Sequence, residues 1–139
     1  MKQKYIDLYM DWAKRVAELS HAQRRHVGAV IVKDDTVISY GYNGMPSGWD
    51  NTCEDILEDG TTKTKPEVLH AESNAIAKLA KSHNSGVSAD IFVTTAPCLE
   101  CAKLIYQSGI KRVWFGDQYR SDDGINFLQK SGIEVTQVK

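Results

Sequence analysis

Cysteine is scarce in this chain of 139 residues: there are only three, an odd number, and two of them are separated by just two residues. Such a set does not make the disulfide framework of a small secreted protein. A reducing compartment is the better match, so we expect a cytoplasmic location. The charged N-terminal residues are followed by no uninterrupted apolar core, so we expect no signal peptide. No apolar run has the length of a membrane span.

The chain also lacks an excess of charge of one sign. It has 17 Lys and Arg against 18 Asp and Glu, for a net charge of -1. A domain that grips nucleic-acid backbones is usually clearly basic, so this balance argues against a polymeric nucleic-acid partner. A small anionic ligand needs only a few local cations. The length is sufficient for one domain, residues 1–139, with its own core and no disulfides.

Hydrophobic periodicity predicts an α/β chain. Apolar residues at helical spacing predict an amphipathic helix over residues 3–19, and β-branched runs on either side of Asp34-Asp35 predict a hairpin. The sheet would therefore be mixed, five-stranded and covered by helices. The predicted strands are 27–32, 36–42, 90–95, 111–116 and 132–138, and the remaining helices are 68–81, 98–108 and 125–130.

Three segments lack a clear period. Residues 20–26 contain two arginines and two histidines, which suit either an anion or plain solvent exposure. Residues 41–48 are glycine-rich and would let the backbone approach a ligand, although a simple turn is the plainer interpretation. Residues 49–66 are polar and long for a connection without structure of its own, which indicates a functional insertion.

Two short motifs supply metal-ligand chemistry, His70-Ala71-Glu72 and Pro97-Cys98-Leu99-Glu100-Cys101. Cys98 and Cys101 are three residues apart in the first turn of a predicted helix, so their sulfurs face the same side. The positive end of the helix favours thiolates there. His70 would reach the same place if it lies at the start of the preceding helix. Both helix starts follow the carboxyl end of the sheet, where open α/β proteins place their sites.

A zinc ion with three protein ligands keeps one position for water and lowers the pKa of that water. Glu72, nearby but not a ligand, would then move a proton from water to a leaving group. The alternative is a closed structural zinc site, with a fourth ligand from His21, His26, His83 or Cys53. The pairing of His-x-Glu with Pro-Cys-x-x-Cys favours catalysis, because it is typical of zinc deaminases of nucleobases.

Over nearly its whole length the sequence resembles the cytidine and deoxycytidylate deaminase superfamily. The Tyr-Asn-Gly-Met-Pro stretch and the long insertion resemble the deoxycytidylate (dCMP) branch, including its small phage-type enzymes. The resemblance implies a cytidine-deaminase-like three-layer α/β/α sandwich and zinc-dependent hydrolytic deamination of dCMP to dUMP with release of ammonia. It rests on residues 27–30, 41–48 with Cys53 downstream, 70–76, 97–105 and 107–111.

The resemblance assigns the metal and the proton shuttle. His70, Cys98 and Cys101 would hold Zn²⁺, and Glu72 would be the catalytic acid and base. Some phage enzymes of this kind carry a second, structural zinc on additional Cys and His residues. Here the insertion has no histidine before His70 and the early loop has no cysteine, so we expect one zinc per subunit.

The resemblance also assigns the substrate contacts. Asn43 would hydrogen-bond the deoxyribose, and the backbone of Ala71 would hold the cytosine ring. Two places are candidates for the 5′-phosphate, and the sequence does not choose between them. They are the loop over residues 20–25, with Ser20 and Arg24, and the pair Tyr119 and Arg120.

Members of this branch are commonly hexamers that dCTP activates and dTTP inhibits, with Mg²⁺ accompanying the triphosphate. The corresponding effector positions in this chain would be Tyr42, Asn43, Gly44, Met45, Pro46, Ser47 and Gly48, with Lys63 or Lys65 nearby. Two alternatives stay open. One is another zinc deaminase acting on tRNA adenosine, a nucleoside or a free base; the other is a zinc-binding module without catalysis.

Overall fold

The computed structural model describes all 139 residues, which form four helices and seven strands. The helices are α1 (Gln3–Ala17), α2 (Ala71–Ala80), α3 (Leu99–Gln107) and α4 (Asp123–Lys130). The strands are β1 (Gly28–Lys33), β2 (Thr36–Tyr42), β3 (Glu54–Ile56), β4 (Thr62–Thr64), β5 (Asp90–Thr95), β6 (Arg112–Asp117) and β7 (Glu134–Gln137).

Five strands form one mixed sheet in the order β2-β1-β5-β6-β7. The pairs β1/β2 and β1/β5 are antiparallel, whereas β5/β6 and β6/β7 are parallel. In the turn between β1 and β2, Asp34 and Asp35 both have positive φ angles, 51° and 59°, as a tight hairpin requires. The predicted mixed five-stranded α/β fold is confirmed.

Side chains alternate between the two faces of this sheet, and helices cover both faces. Val30, Val32, Phe92 and Trp114 pack against α1. The opposite face packs against α2, α3 and α4 through Ala29, Ile31, Ile91, Val93, Val113 and Phe115. Because both faces are buried, the central strands contain continuous apolar runs. None of the four helices combines the length and apolar character needed to span a membrane.

The insertion has structure of its own, which the periodicity did not predict. Strands β3 and β4 pair antiparallel as a separate two-stranded hairpin, with Glu54 opposite Thr64. At its open end the Lys65 amide donates to the Cys53 carbonyl oxygen at 2.8 Å. The strands have three residues each and carry mostly exposed polar side chains, so they show no alternation of apolar residues.

Two glycines allow the close backbone contacts that position the site. A Cβ atom on Gly41 would lie 2.4 Å from the Ala71 carbonyl oxygen, so the first turn of α2 rests directly on β2. A Cβ atom on Gly124 would lie 2.2 Å from the carbonyl oxygen of Pro97, so α4 rests on the segment entering α3. The starts of α2 and α3 are thereby held beside the carboxyl ends of β2 and β5.

Candidate active site and metal centre

His70 is the residue immediately before α2 and has an extended backbone, with φ -82° and ψ 156°. Helix α2 starts at Ala71, three residues later than predicted, because Leu69 pairs with Gly44 in an isolated β-bridge. The position of His70 at the start of the helix agrees with the expectation from its spacing to Glu72. Both side chains therefore reach the same cleft.

The two cysteines lie in the equivalent place on α3. Cys98 precedes the helix in an extended conformation, and Cys101 lies in its first turn. Helix α3 therefore starts at Leu99, one residue later than predicted, and Pro97 lies two residues before its first residue. The Nδ1 atom of His70 lies 3.3 Å from the Cys101 sulfur and 3.5 Å from the Cys98 sulfur. The three ligand atoms all lie within 4.8 Å of one another, so the structure brings the predicted metal ligands together.

The donor set fits zinc. A tetrahedral ion with typical Zn–N and Zn–S distances separates nitrogen from sulfur by about 3.5 Å, close to the observed spacings. Hydrogen bonds from the Cys101 thiol and His70 lower the pKa of Cys98 to about 3. The same contact with Cys98, together with burial, raises the pKa of Cys101. The two sulfurs thus lie close together at a place where a cation would satisfy both.

Glu72 lies next to this cluster, and its side chain is not part of the metal-ligand group. The residue is only 4% exposed. Burial raises the pKa of its carboxyl group to about 7. A carboxyl with a pKa near neutral can both accept and return a proton, which is what general acid-base catalysis requires.

A cavity of about 630 Å³ opens onto this group of residues. His70, Ala71, Glu72 and Cys98 contribute to its lining. Its other charged lining residues are four cations, Arg24, Arg25, Lys63 and Arg120, and one further acid, Glu54. None of the four cations belongs to an ion pair. The cavity is therefore suited to a small molecule that carries negative charge.

The predicted substrate contacts divide into two groups. Arg24, Tyr119 and Arg120 all line the cavity, so both candidate phosphate positions face the same space. Ser20 does not line it: the Ser20 side chain is buried, and its hydroxyl donates to the Asn43 carbonyl oxygen at 2.7 Å. Arg25 and Lys63 also line the cavity and were not predicted as substrate residues.

Asn43 lines the cavity and also organises the neighbouring loop. Its Oδ1 atom accepts a hydrogen bond from the Val27 amide at 2.8 Å, and its Nδ2 atom donates to the Arg25 carbonyl oxygen at 2.8 Å. A carboxamide has two N–H groups, so one remains for a ligand. The side chain can hold the loop and contact a bound molecule together.

A second, smaller cavity of about 380 Å³ is formed by the glycine-rich segment. Of the predicted effector residues, it is lined by Tyr42, Gly44, Met45, Pro46, Ser47 and Gly48, and not by Asn43, Lys63 or Lys65. Lys63 lines the first cavity, and Lys65 pairs with Asp55 on the hairpin at 2.7 Å. The cation here is instead Lys78, whose pKa is lowered mainly by burial. In the sequence Lys78 is an ordinary lysine of a predicted helix. Only its position one helical turn after Asn74, which also lines this cavity, could have pointed to a role in ligand binding.

A sequence model described as "cytidine and deoxycytidylate deaminase zinc-binding region" matches residues 3–117. The chain belongs to this family. The predicted resemblance is thereby confirmed, and so is the prediction that the chain is an enzyme, a hydrolase of the deaminase class. The family match covers His70, Cys98 and Cys101, in agreement with a zinc site there.

Individual relatives support this membership. Human deoxycytidylate deaminase is 42% identical over 137 residues, covering 86% of this chain and 73% of the human protein. The Saccharomyces cerevisiae deoxycytidylate deaminase is 33% identical over 143 residues. That match covers 99% of this chain, which spans only 46% of the yeast protein.

A solved structure within the deaminase family has nearly the same fold. The dCMP deaminase of cyanophage S-TIM5, in complex with dCMP and dUMP, superposes with a TM-score of 0.92 at 43% sequence identity. The match covers 99% of both chains.

Proposed function

We propose that this protein catalyses the hydrolytic deamination of dCMP to dUMP with release of ammonia. The observation that carries the proposal is the joining of two features in one cavity. A His-Cys-Cys metal cluster with a buried glutamate lies at a space that four unpaired cations also line. The similarity to the cyanophage enzyme in complex with dCMP and dUMP supports the choice of substrate.

Each part of dCMP has a matching group in the cavity. Arg24, Arg25, Lys63 and Arg120 offer charge-assisted hydrogen bonds to the 5′-phosphate. The free N–H of Asn43 donates a hydrogen bond to the deoxyribose, and the backbone of Ala71 holds the cytosine ring beside the metal cluster. The net charge of -1 disfavours a folded RNA, which needs a broad basic surface.

The chemistry assigns one role to each side chain. His70, Cys98 and Cys101 hold Zn²⁺, which when bound lowers the pKa of a water molecule and makes it nucleophilic. Glu72 accepts the proton of the water that adds to C4 of cytosine. The same carboxyl passes this proton to N3, then moves the remaining proton of the added oxygen to the amino nitrogen, and the C4–N bond breaks to leave the C4 carbonyl of uracil. One water is consumed and one ammonia leaves for each dCMP converted.

A substrate panel tests the proposal. Ammonia release is measured from dCMP, deoxycytidine, cytidine and adenosine in tRNA with the zinc-loaded protein. The expected result is turnover of dCMP with a much higher kcat/KM than that of the nucleosides. Turnover of cytidine or of tRNA, with none of dCMP, would reject the proposed substrate. If the zinc-bound protein turned over none of these substrates, the result would favour a zinc-binding module without catalysis.

We further propose that the second cavity receives a nucleoside triphosphate with Mg²⁺, dCTP as activator and dTTP as inhibitor, in a homohexamer. The contacts of this segment support such regulation. Gly44 and Leu69 exchange two backbone hydrogen bonds, of 3.1 and 2.8 Å, directly before His70. Asn74 of α2 donates to the Tyr42 carbonyl oxygen at 2.8 Å. A ligand that shifts residues 42–48 would therefore shift the helix that carries Glu72.

This regulatory proposal has its own test. The dependence of dCMP turnover on dCTP, dTTP and Mg²⁺ is measured for the parent and for Lys78→Ala, with light scattering for the oligomeric state. We expect the effector responses to weaken in the variant while basal activity persists. Unchanged responses would reject the role of Lys78. The cytoplasmic location stays a prediction from cysteine usage.

A further inference from the structure

Glu54 is a buried acid in the first cavity that the proposed chemistry does not use. It is the first residue of β3 in the insertion, it is 7% exposed, and it lines the cavity with the four cations. Its Oε2 atom accepts hydrogen bonds from the backbone amides of Gln23, at 3.0 Å, and Arg24, at 3.4 Å. Its carboxylate is therefore directed at the main chain of the arginine-bearing loop.

That loop, residues 20–26, has no regular structure and is held by a few side-chain contacts. At its start Ser20 is bonded to the Asn43 carbonyl oxygen, and at its end Asn43 is bonded to Arg25 and Val27. Between these ends, the side-chain hydrogen bonds that reach the loop from outside come from Glu54. The insertion is thus attached to the middle of the loop, where Arg24 lies.

The way in which Glu54 is bonded also leaves the cations available. A carboxylate among several arginines would ordinarily form ion pairs with them and cancel their charge. Here the Glu54 oxygen accepts main-chain N–H groups, and neither Arg24 nor Arg25 is in an ion pair. The acid therefore fixes the loop without occupying the guanidinium groups.

We propose that Glu54 is a positioning residue for phosphate recognition: it ties the insertion to the loop and so holds Arg24 and Arg25 where they meet the 5′-phosphate of the substrate. The inference rests on the proposed function, because it supposes a phosphorylated substrate in this cavity. It gives the insertion a role in substrate affinity, separate from the chemistry at Glu72.

Steady-state kinetics of dCMP deamination by Glu54→Ala and Glu54→Gln test this role. We expect Glu54→Ala to raise KM for dCMP by roughly tenfold, the size of a lost hydrogen bond to a charged group, with little change in kcat. Glu54→Gln keeps an acceptor oxygen and should recover most of the loss. The affinity for dUMP should fall in parallel with KM, whereas the affinity for deoxyuridine, which has no phosphate, should stay that of the parent.

A matched control, and a background that lacks both arginines, distinguish the positioning of Arg24 and Arg25 from a general loosening of the structure. Asp55→Ala removes the neighbouring exposed carboxylate of the same strand, which pairs with Lys65. It should leave KM unchanged, because such a surface pair contributes little. In an Arg24→Ala, Arg25→Ala background, Glu54→Ala should have no further effect on KM, since the groups that it positions are gone.

The outcomes distinguish this inference from the proposed function. If the parent protein does not deaminate dCMP, the proposed function fails. If the parent is active and both Glu54 variants keep the parental KM and dUMP affinity, the positioning role is overturned. Equal losses for dUMP and deoxyuridine, or an equal effect of Asp55→Ala, would also overturn it, because the effect would then not concern phosphate. Should Glu54→Ala fail to fold, Glu54→Asp replaces it: the shorter side chain withdraws the acceptor from the Gln23 and Arg24 amides, so KM for dCMP should rise while the affinity for deoxyuridine stays that of the parent, and an unchanged KM overturns the role.

Discussion

The metal centre and the cationic part of the same cavity are held in different ways. His70, Glu72, Cys98 and Cys101 lie at the starts of two helices that rest on the sheet through Gly41 and Gly124. Arg24, Arg25, Lys63 and Arg120 lie on loops and on a short hairpin, and a few side-chain hydrogen bonds hold the loop of the two neighbouring arginines. The proposed chemistry is thus placed on the rigid part of the fold, and the contacts that select the substrate on its adjustable part.

The strongest expected effect concerns the rigid part. Glu72→Gln removes the proton shuttle and keeps the size of the side chain, so kcat for dCMP should fall by about 10²–10⁴-fold, the usual contribution of general acid-base catalysis. Zinc content, measured by atomic absorption, should remain that of the parent. Parental turnover by this variant would reject the role given to Glu72.

The second effect concerns stability in the metal-free protein. Burial raises the pKa of Glu72 from its ordinary 4.5 to about 7, so the folded state retains a proton that the unfolded state has already released. The contribution of Glu72 to the stability of the folded state is therefore fully present below pH 4.5 and is lost as the pH rises to about 7, by about 3 kcal/mol at most.

Urea unfolding of the metal-free protein between pH 4.5 and pH 8 measures this loss. Glu72→Gln cannot ionise at this position and is the matched control. It should show a shallower decline and exceed the parent in stability at pH 7. Identical pH profiles for the two proteins would mean that Glu72 does not carry the effect.

The third effect tests the close packing beneath the metal centre. Gly41→Ala places a Cβ atom against the backbone of α2, and the resulting overpacking should cost about 1–3 kcal/mol of unfolding free energy. Gly44→Ala is the control, because a Cβ atom there meets nothing within 4 Å. Equal stability of the two variants would contradict the contact between β2 and α2.

The smallest effect belongs to the adjustable part. Arg120→Ala should raise KM for dCMP by about tenfold and leave kcat nearly unchanged, because phosphate contacts bind ground state and transition state alike. Arg15→Ala, an exposed arginine of α1 outside the cavity, is the control. A loss confined to kcat would place Arg120 in the chemistry and would weaken the division between the two parts.

The same division explains what the sequence could predict. The strands of the sheet and the ligands His70, Cys98 and Cys101 follow from local patterns: apolar runs, helix starts and fixed spacing. The hairpin β3–β4 has no such pattern, since its strands are short and polar. Helices α2 and α3 start later than predicted, because periodicity does not register an extended residue such as Cys98, whose side chain belongs to the metal cluster.

The missed residues depend on contacts between distant parts of the chain. Glu54 meets Gln23 across 31 positions, and Lys63 reaches the first cavity only because the hairpin folds toward it. Ser20, predicted as a substrate contact, is instead an internal support of the loop, because its hydroxyl is already bonded to the Asn43 carbonyl oxygen. The sequence alone does not distinguish a polar side chain that bonds a buried group of the protein from one that binds a ligand.

The hydrogen bonds within the cluster have a consequence for how the metal is acquired. They lower the pKa of Cys98 and raise the pKa values of Cys101 and His70. A zinc ion binds deprotonated thiolates and a neutral imidazole, so we expect protons to be released when zinc enters the site. The occupancy of the site by zinc should therefore fall as the pH is lowered.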